Sequence, residues 1–166
     1  MFGLTTLGII HTIISLAAVA AGAIPLIRDG KISWDNSIGK LYVITTVLVC
    51  LTGFGIFQHG GFGKPHALGV ITLVVLAVVF MAQSNNNLFG SLSPYVVTIG
   101  YSTTFFFHLV PAITETATRL PHDAPLASSP DDPSIQMAIG ICFVLFIIAA
   151  TLQVRKMRAG LKSQRY

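Results

Sequence analysis

Long apolar stretches alternate with short polar ones along this chain, and their lengths predict its elements. Leu4 to Ile27 carries no charge, Gly39 to Gln58 and Pro65 to Gln83 are nearly as apolar, and Pro94 to Ile113 and Ile135 to Val154 complete the series. A helix needs about twenty apolar residues to cross the hydrocarbon layer of a bilayer. In lipid, only helices and closed barrels pair all of their backbone N–H and C=O groups. The pattern predicts an all-α integral membrane bundle of five transmembrane helices, at about 3–27, 39–58, 65–83, 94–118 and 135–154, with residues 1–166 forming one domain.

The polar segments mark the boundaries. Arg28, Asp29, Lys31, Asp35 and Lys40 form the first turn, with Trp34 and Tyr42 placed where interfacial aromatics belong. Gly60-Gly61-Phe62-Gly63 precedes Pro65, which suits a first helical position because its missing N–H would be unpaired there anyway. Ser84-Asn85-Asn86-Asn87 closes the third helix, and the Pro, Ser and Asp residues between Pro121 and Pro133 exclude a helix there. The first stretch is longer than a signal-peptide core and has no basic segment before it, so it is expected to remain as a helix.

Composition agrees, since 53% apolar and 10% charged residues with a mean hydropathy of +0.76 leave too little polar surface for a water-soluble globule. Charge adds an orientation. Arg155, Lys156, Arg158, Lys162 and Arg165 follow the last span, and short cytoplasmic segments are enriched in Lys and Arg. Placing that tail inside also puts Arg28, Lys31 and Lys40 inside and leaves only Lys64 and Arg119 outside. The expected topology is N-terminus outside and C-terminus inside, in a bacterial inner membrane. The net charge of +4 then reflects a basic tail facing anionic lipid rather than nucleic-acid binding.

On this topology His11, His59, His66, His108 and His122 all fall at or near the outer side. Ionisable groups inside a membrane are costly and point to function. At about 1.5 Å of rise per residue, His11 and His108 lie at comparable depth in the outer half. Gly8, His11, Ser15, Ala18 and Gly22 share one face of the first helix, and Tyr101, Thr104, His108, Ala112 and Glu115 share one face of the fourth. The second stripe is too polar to face lipid, so it is expected to point into the bundle or a wet cavity.

Two chemistries suit such histidines. Haem b takes imidazole nitrogens at matched depth from two helices; His11 with His108 is the preferred pair, His66 the substitute ligand, and Tyr101, Thr104 and Glu115 the groups that tune it or relay protons. The other is an outer-facing transition-metal site drawn from His59 and His66, with His122, Glu115 and Asp123 as further ligands. A third reading has no cofactor: the rings hydrogen-bond neighbours such as Ser15, Thr104 or Tyr101 while small-residue faces pack. No His-x-x-x-His, Cys-x-x-Cys, nucleophile-elbow or phosphate-loop motif is present. Cys50 and Cys142 sit mid-helix and are read as free structural thiols.

The run Ile38-Gly39-Lys40-Leu41-Tyr42-Val43, preceded by a helix bearing His11, resembles uncharacterised bacterial membrane proteins of four or five helices whose second span opens with Gly-Arg/Lys-Leu-Tyr-Val. The resemblance covers roughly the first eighty residues. Such families tend to carry a histidine and an arginine just before that glycine, where this chain has Asp35 and Asn36. The expected function is a haem b electron-transfer subunit. The alternatives are an accessory or assembly subunit docking on other membrane subunits or on its own copies, and an outer-facing metal-binding protein; a quinone is a further expected partner.

Overall fold

The computed structural model describes residues 5–57, 61–84 and 86–163, and every regular element among them is helical. In order these are α1 (Thr6–Asp29), α2 (Ser37–Gly53), α3 (Lys64–Ser84), the short α4 (Asn86–Phe89) with a 3-10 turn (Gly90–Leu92), α5 (Ser93–Arg119) and α6 (Pro133–Ser163). Four of them, α1, α3, α5 and α6, are long and apolar enough to cross a membrane.

The helix ends are set by local chemistry. Thr5 accepts the Gly8 N–H at 3.1 Å and Asn36 accepts the Gly39 N–H at 2.8 Å, so each caps donors that would otherwise lack a helical partner. Gly30 ends α1 in the left-handed region at φ 74°, where a Cβ is costly, and donates its N–H to Leu26 O. At α6, Pro133 takes the first position and Asp132 accepts both the Ser134 N–H and its hydroxyl, at 2.9 and 2.7 Å. The Ser134 hydroxyl, then its N–H, holds the Asp132 carboxyl below the usual carboxylate range.

The second helix is shorter than its sequence suggests. α2 ends at Gly53, and Gly55 and Ile56 donate to Thr52 O and Gly53 O in a tightened turn. Its 17 residues span about 25 Å, the lower limit for a crossing. Its exposed stripe of Leu41, Ile44, Leu48 and Leu51 is as apolar as the exposed Ile9, Ile13 and Leu16 of α1. At the other extreme, α6 runs past Val154, so Arg155, Lys156 and Arg158 stand on a continuous helix.

By packing, the chain divides into two compact units, Met1–Phe105 and Phe106–Tyr166. In the first, α1 packs on α2 and α2 on α3, around a core of Ala21, Ile32, Tyr42, Leu76, Val79 and Tyr101. Glycines set the close approaches: a Cβ on Gly22 would lie 2.6 Å from Phe105 and 2.8 Å from Tyr42, and one on Gly100 would lie 2.2 Å from Val79. Small residues at helix contacts are how bundles pack in lipid, where no hydrophobic effect drives helix against helix. In the second unit Phe106 packs against Phe143 and Phe146, at 5.6 and 5.4 Å between ring centroids. The 121–132 loop is non-helical and returns to the end of α5, with Ala127 N–H on Ala117 O at 3.0 Å.

Two outcomes are expected. Ala in place of Gly in a helix ordinarily gains about 0.5–1 kcal/mol, but overpacking costs about 1–3 kcal/mol. Gly22→Ala should therefore lower the thermal unfolding midpoint in detergent, whereas Gly140→Ala, where an added Cβ meets nothing within 4 Å, should not. For Asp132, whose folded pKa is depressed, capping is present above its unfolded value and is lost as pH falls through the folded one. Amide exchange at Ser134 should accelerate over that acid window, and Asp132→Ala should show the fast exchange already at neutral pH.

Candidate functional site

The polar stripe of α5 points inward over its first turns. Tyr101, Thr104 and His108 are 2%, 0% and 7% exposed. Farther along, Ala112 and Glu115 are exposed, and Glu115 pairs with Arg119 one turn on. Glu115 thus stands near the C-terminal end of α5, not within the buried stripe. On α1 the Gly8, Ala18 and Gly22 positions are buried and His11 and Ser15 are half-buried, with the Ser15 hydroxyl donating to His11 O at 2.8 Å.

Tyr42 departs from its sequence reading. Expected at the membrane interface, it is instead fully buried, the largest such side chain in the described chain. The Thr104 hydroxyl spends its one proton on Tyr101 O, 2.9 Å away, so at 2.8 Å the Tyr42 hydroxyl must be the donor to Thr104 Oγ1. Tyr101 in turn donates to Gln83 Oε1 at 2.9 Å. These contacts tie α2 and α3 to α5 through polar groups that lipid could not satisfy. Tyr42 is a structural donor, and its residue type and position near a helix start do not separate that role from an interfacial one.

The histidines fall into distinct settings. His11 Nδ1 lies 2.9 Å from Thr52 Oγ1, and the Thr52 hydroxyl donates to Leu48 O at 2.7 Å. Thr52 therefore accepts, the proton sits on His11 Nδ1, and in the neutral ring the lone pair is on Nε2. His66, on the first turn of α3, has the opposite arrangement. Its Nδ1 accepts the Gly63 N–H at 3.2 Å, so the neutral ring carries its proton on Nε2, which is buried and has no hydrogen-bond partner among the described residues. An unpaired buried donor of this kind costs about 1–3 kcal/mol. The His66 ring packs against Phe57 and Phe62, at centroid distances of 5.0 and 5.3 Å and interplanar angles of 23° and 31°.

His11 and His66 both sit at the end of the first unit where α2 gives way to α3, His11 against Thr52 and Gly53 and His66 against Phe57. His108 belongs to the second unit. His122 and Asp123 are exposed in the 121–132 loop, and His59 lies outside the described residues. Among the described residues no group of three or more His, Cys, Asp or Glu side chains converges as a metal site. Cys50 and Cys142 are both free thiols. An open groove of about 560 Å³ in the second unit is lined by apolar and small residues, including Ala112, Ile113, Leu126 and Ile135, and carries no ionisable group.

Comparison with protein-family models, with curated proteins and with solved structures finds no match. The histidine environments therefore carry the chemistry. Thr104→Val removes one acceptor from the buried Tyr42 hydroxyl, which also has the Thr46 hydroxyl beside it, and should cost about 1 kcal/mol. Tyr42→Phe removes donor and demand together and should cost less, nearer the roughly 0.6 kcal/mol average for hydrogen bonds between membrane helices. Unfolding of both variants in detergent, compared with the double variant, measures the coupling.

Proposed function

We propose that this multi-pass protein is a haem b-binding subunit for electron transfer in a bacterial inner membrane, in which His11 would hold the haem. The observation that carries the reading is the His11–Thr52 hydrogen bond. Ligating histidines donate their second ring N–H to a fixed acceptor, which sets the tautomer and the ring orientation. Here Thr52 accepts the Nδ1–H, so in the neutral ring the lone pair is on Nε2, and the helix that carries it is long and apolar enough to cross a membrane. His66 fits iron less well in its observed state, because its Nδ1 already accepts a backbone N–H and its Nε2 carries the proton. Bound haem would supply a one-electron couple; the protein's part is to orient the imidazole and to keep water from it.

The purified protein should show a Soret band that is lost in His11→Ala and kept in His66→Ala. Thr52→Val should retain the band while weakening haem retention by roughly tenfold or more, as loss of a histidine's supporting hydrogen bond does at metal sites. A colourless protein that takes up no added haem would overturn the proposal.

A second reading, an accessory subunit of a larger membrane complex, is favoured by α6. Only 6% of its apolar stretch is buried, against 22 to 28% for the other three long helices. Under that reading the chain co-purifies with a partner subunit from native membranes and carries no chromophore.

A further inference from the structure

The open apolar groove of the second unit lies where the C-terminal turns of α5, the 121–132 loop and the first turns of α6 come together. We infer that it is a binding site for a lipophilic organic cation, whose apolar body lies in the groove and whose positive charge faces the carboxylates around it. The lining contains no histidine, and His11 belongs to the other unit, so this inference is independent of the haem reading.

Small side chains make the space. Ala112 and Ala117 of α5 and Ala138 of α6 line the groove, with Ile113 and Ile135 as its larger apolar walls. Its volume of about 560 Å³ falls within the roughly 300–1,000 Å³ of sites that take drug-sized ligands. Backbone hydrogen bonds hold the loop wall in place, with Ala127 N–H on Ala117 O at 3.0 Å and Leu126 N–H on Leu120 O at 3.2 Å. Leu126, the one large aliphatic side chain of that loop, lines the groove and is 73% exposed. Most of its apolar surface is therefore uncovered in a segment otherwise made of Pro, Ser, Asp, His and Ala.

Charge decides the occupant. Four of the chain's six carboxylates, Glu115, Asp123, Asp131 and Asp132, lie between residues 112 and 138, with Arg119 as the one Lys or Arg among them. This is an acidic end in a chain whose net charge is +4. Two of the four adjoin the lining: Asp132 accepts the Ser134 hydroxyl at 2.7 Å, and Glu115 precedes Thr116 and stands one turn from Ala112. Arg119 is committed to an ion pair with Glu115, which leaves the three aspartates to set the sign of the field. Carboxylates beside an apolar, low-dielectric wall raise the local concentration of cations. A phospholipid chain would suit the lining but would bring its phosphate to the same acidic rim. A metal ion is poorly served, because the lining offers no carboxylate, imidazole or thiol, and no group of three such ligands converges among the described residues. Both helices are long and apolar enough to cross a membrane, so a groove at their joined ends opens at headgroup level, within reach of an amphiphile from the bilayer.

Tetraphenylphosphonium and tetraphenylborate, apolar ions of matched shape and opposite charge, test the site. In calorimetric titration of the whole chain in an uncharged maltoside detergent, against a micelle blank, the phosphonium should bind and the borate should bind at least roughly tenfold more weakly. Glu115→Gln combined with Asp132→Asn, which keeps a capping oxygen, should weaken the phosphonium roughly tenfold at low salt. Going from about 10 mM to about 1 M salt shortens the Debye length from about 30 to about 3 Å and should weaken it as well, whereas purely apolar binding would not weaken. Alanine-methyl NMR of the wild type needs no variant: the phosphonium rings should shift Ala117 and Ala138 and leave Ala18 and Ala21 of α1 in place. Phosphonium binding no greater than the blank, equal affinity for the borate, or unmoved Ala117 and Ala138 methyls would overturn the proposal. So would unchanged affinity in the carboxylate variant with its helical circular dichroism intact. Displacement of the phosphonium by an equal concentration of short-chain phosphatidylcholine would also overturn it, by giving the groove to a lipid chain. The titration needs no haem, so a missing Soret band and a missing cation site are separate failures.

Discussion

The Tyr42 hydroxyl is a hydrogen-bond donor sealed in a protein interior whose exterior is apolar, and it must be satisfied within the first unit. Thr104 accepts the bond while passing its own proton to the Tyr101 carbonyl. Gly22 leaves room for the Tyr42 ring, and Phe105 closes on it from α5 at 6.5 Å between centroids. A larger residue at Gly22 would meet both rings. A polar contact thereby fixes the distances at which apolar surfaces meet. This inverts the usual soluble arrangement, because the outward faces of α1 and α2 are Ile and Leu while the inward faces carry hydroxyls and small residues.

The same logic separates two histidines at the same end of the unit. A hydroxyl that has already donated its proton can only accept, so Thr52 draws the proton to Nδ1 of His11. A backbone N–H can only donate, so Gly63 drives the proton of His66 to Nε2. One ring therefore presents a lone pair and the other a proton, although both are imidazoles on apolar helices. A ligating role and a donor role are chemically exclusive at a given nitrogen.

The α6 helix shows how length and charge combine in the second unit. Its start is fixed by Asp132 and Pro133, and its apolar stretch is almost entirely uncovered by the protein. Helical structure continues beyond the apolar stretch to Ser163, carrying Arg155, Lys156 and Arg158. Such a basic extension is suited to anionic headgroups, each Lys or Arg near the surface contributing about 1 kcal/mol of attraction.

Sequence alone was enough for the all-helical class, the apolar spans of α1, α3, α5 and α6 and the non-helical 121–132 loop, because each follows from runs of apolar residues and from Pro, Gly and Asp at their ends. It was enough too for the inward direction of Tyr101 and Thr104, since a polar stripe on an apolar helix has few tolerable orientations. It could not assign Tyr42, because an interfacial ring and a buried donor have the same residue type and the same position near a helix start. Only tertiary structure, by bringing Thr104 from sixty-two residues away, decided between them. Tertiary structure likewise ended α2 at Gly53 and set the opposite tautomers of His11 and His66. Where a proton rests depends on which atoms lie within hydrogen-bond reach, and spacing along a chain does not encode that.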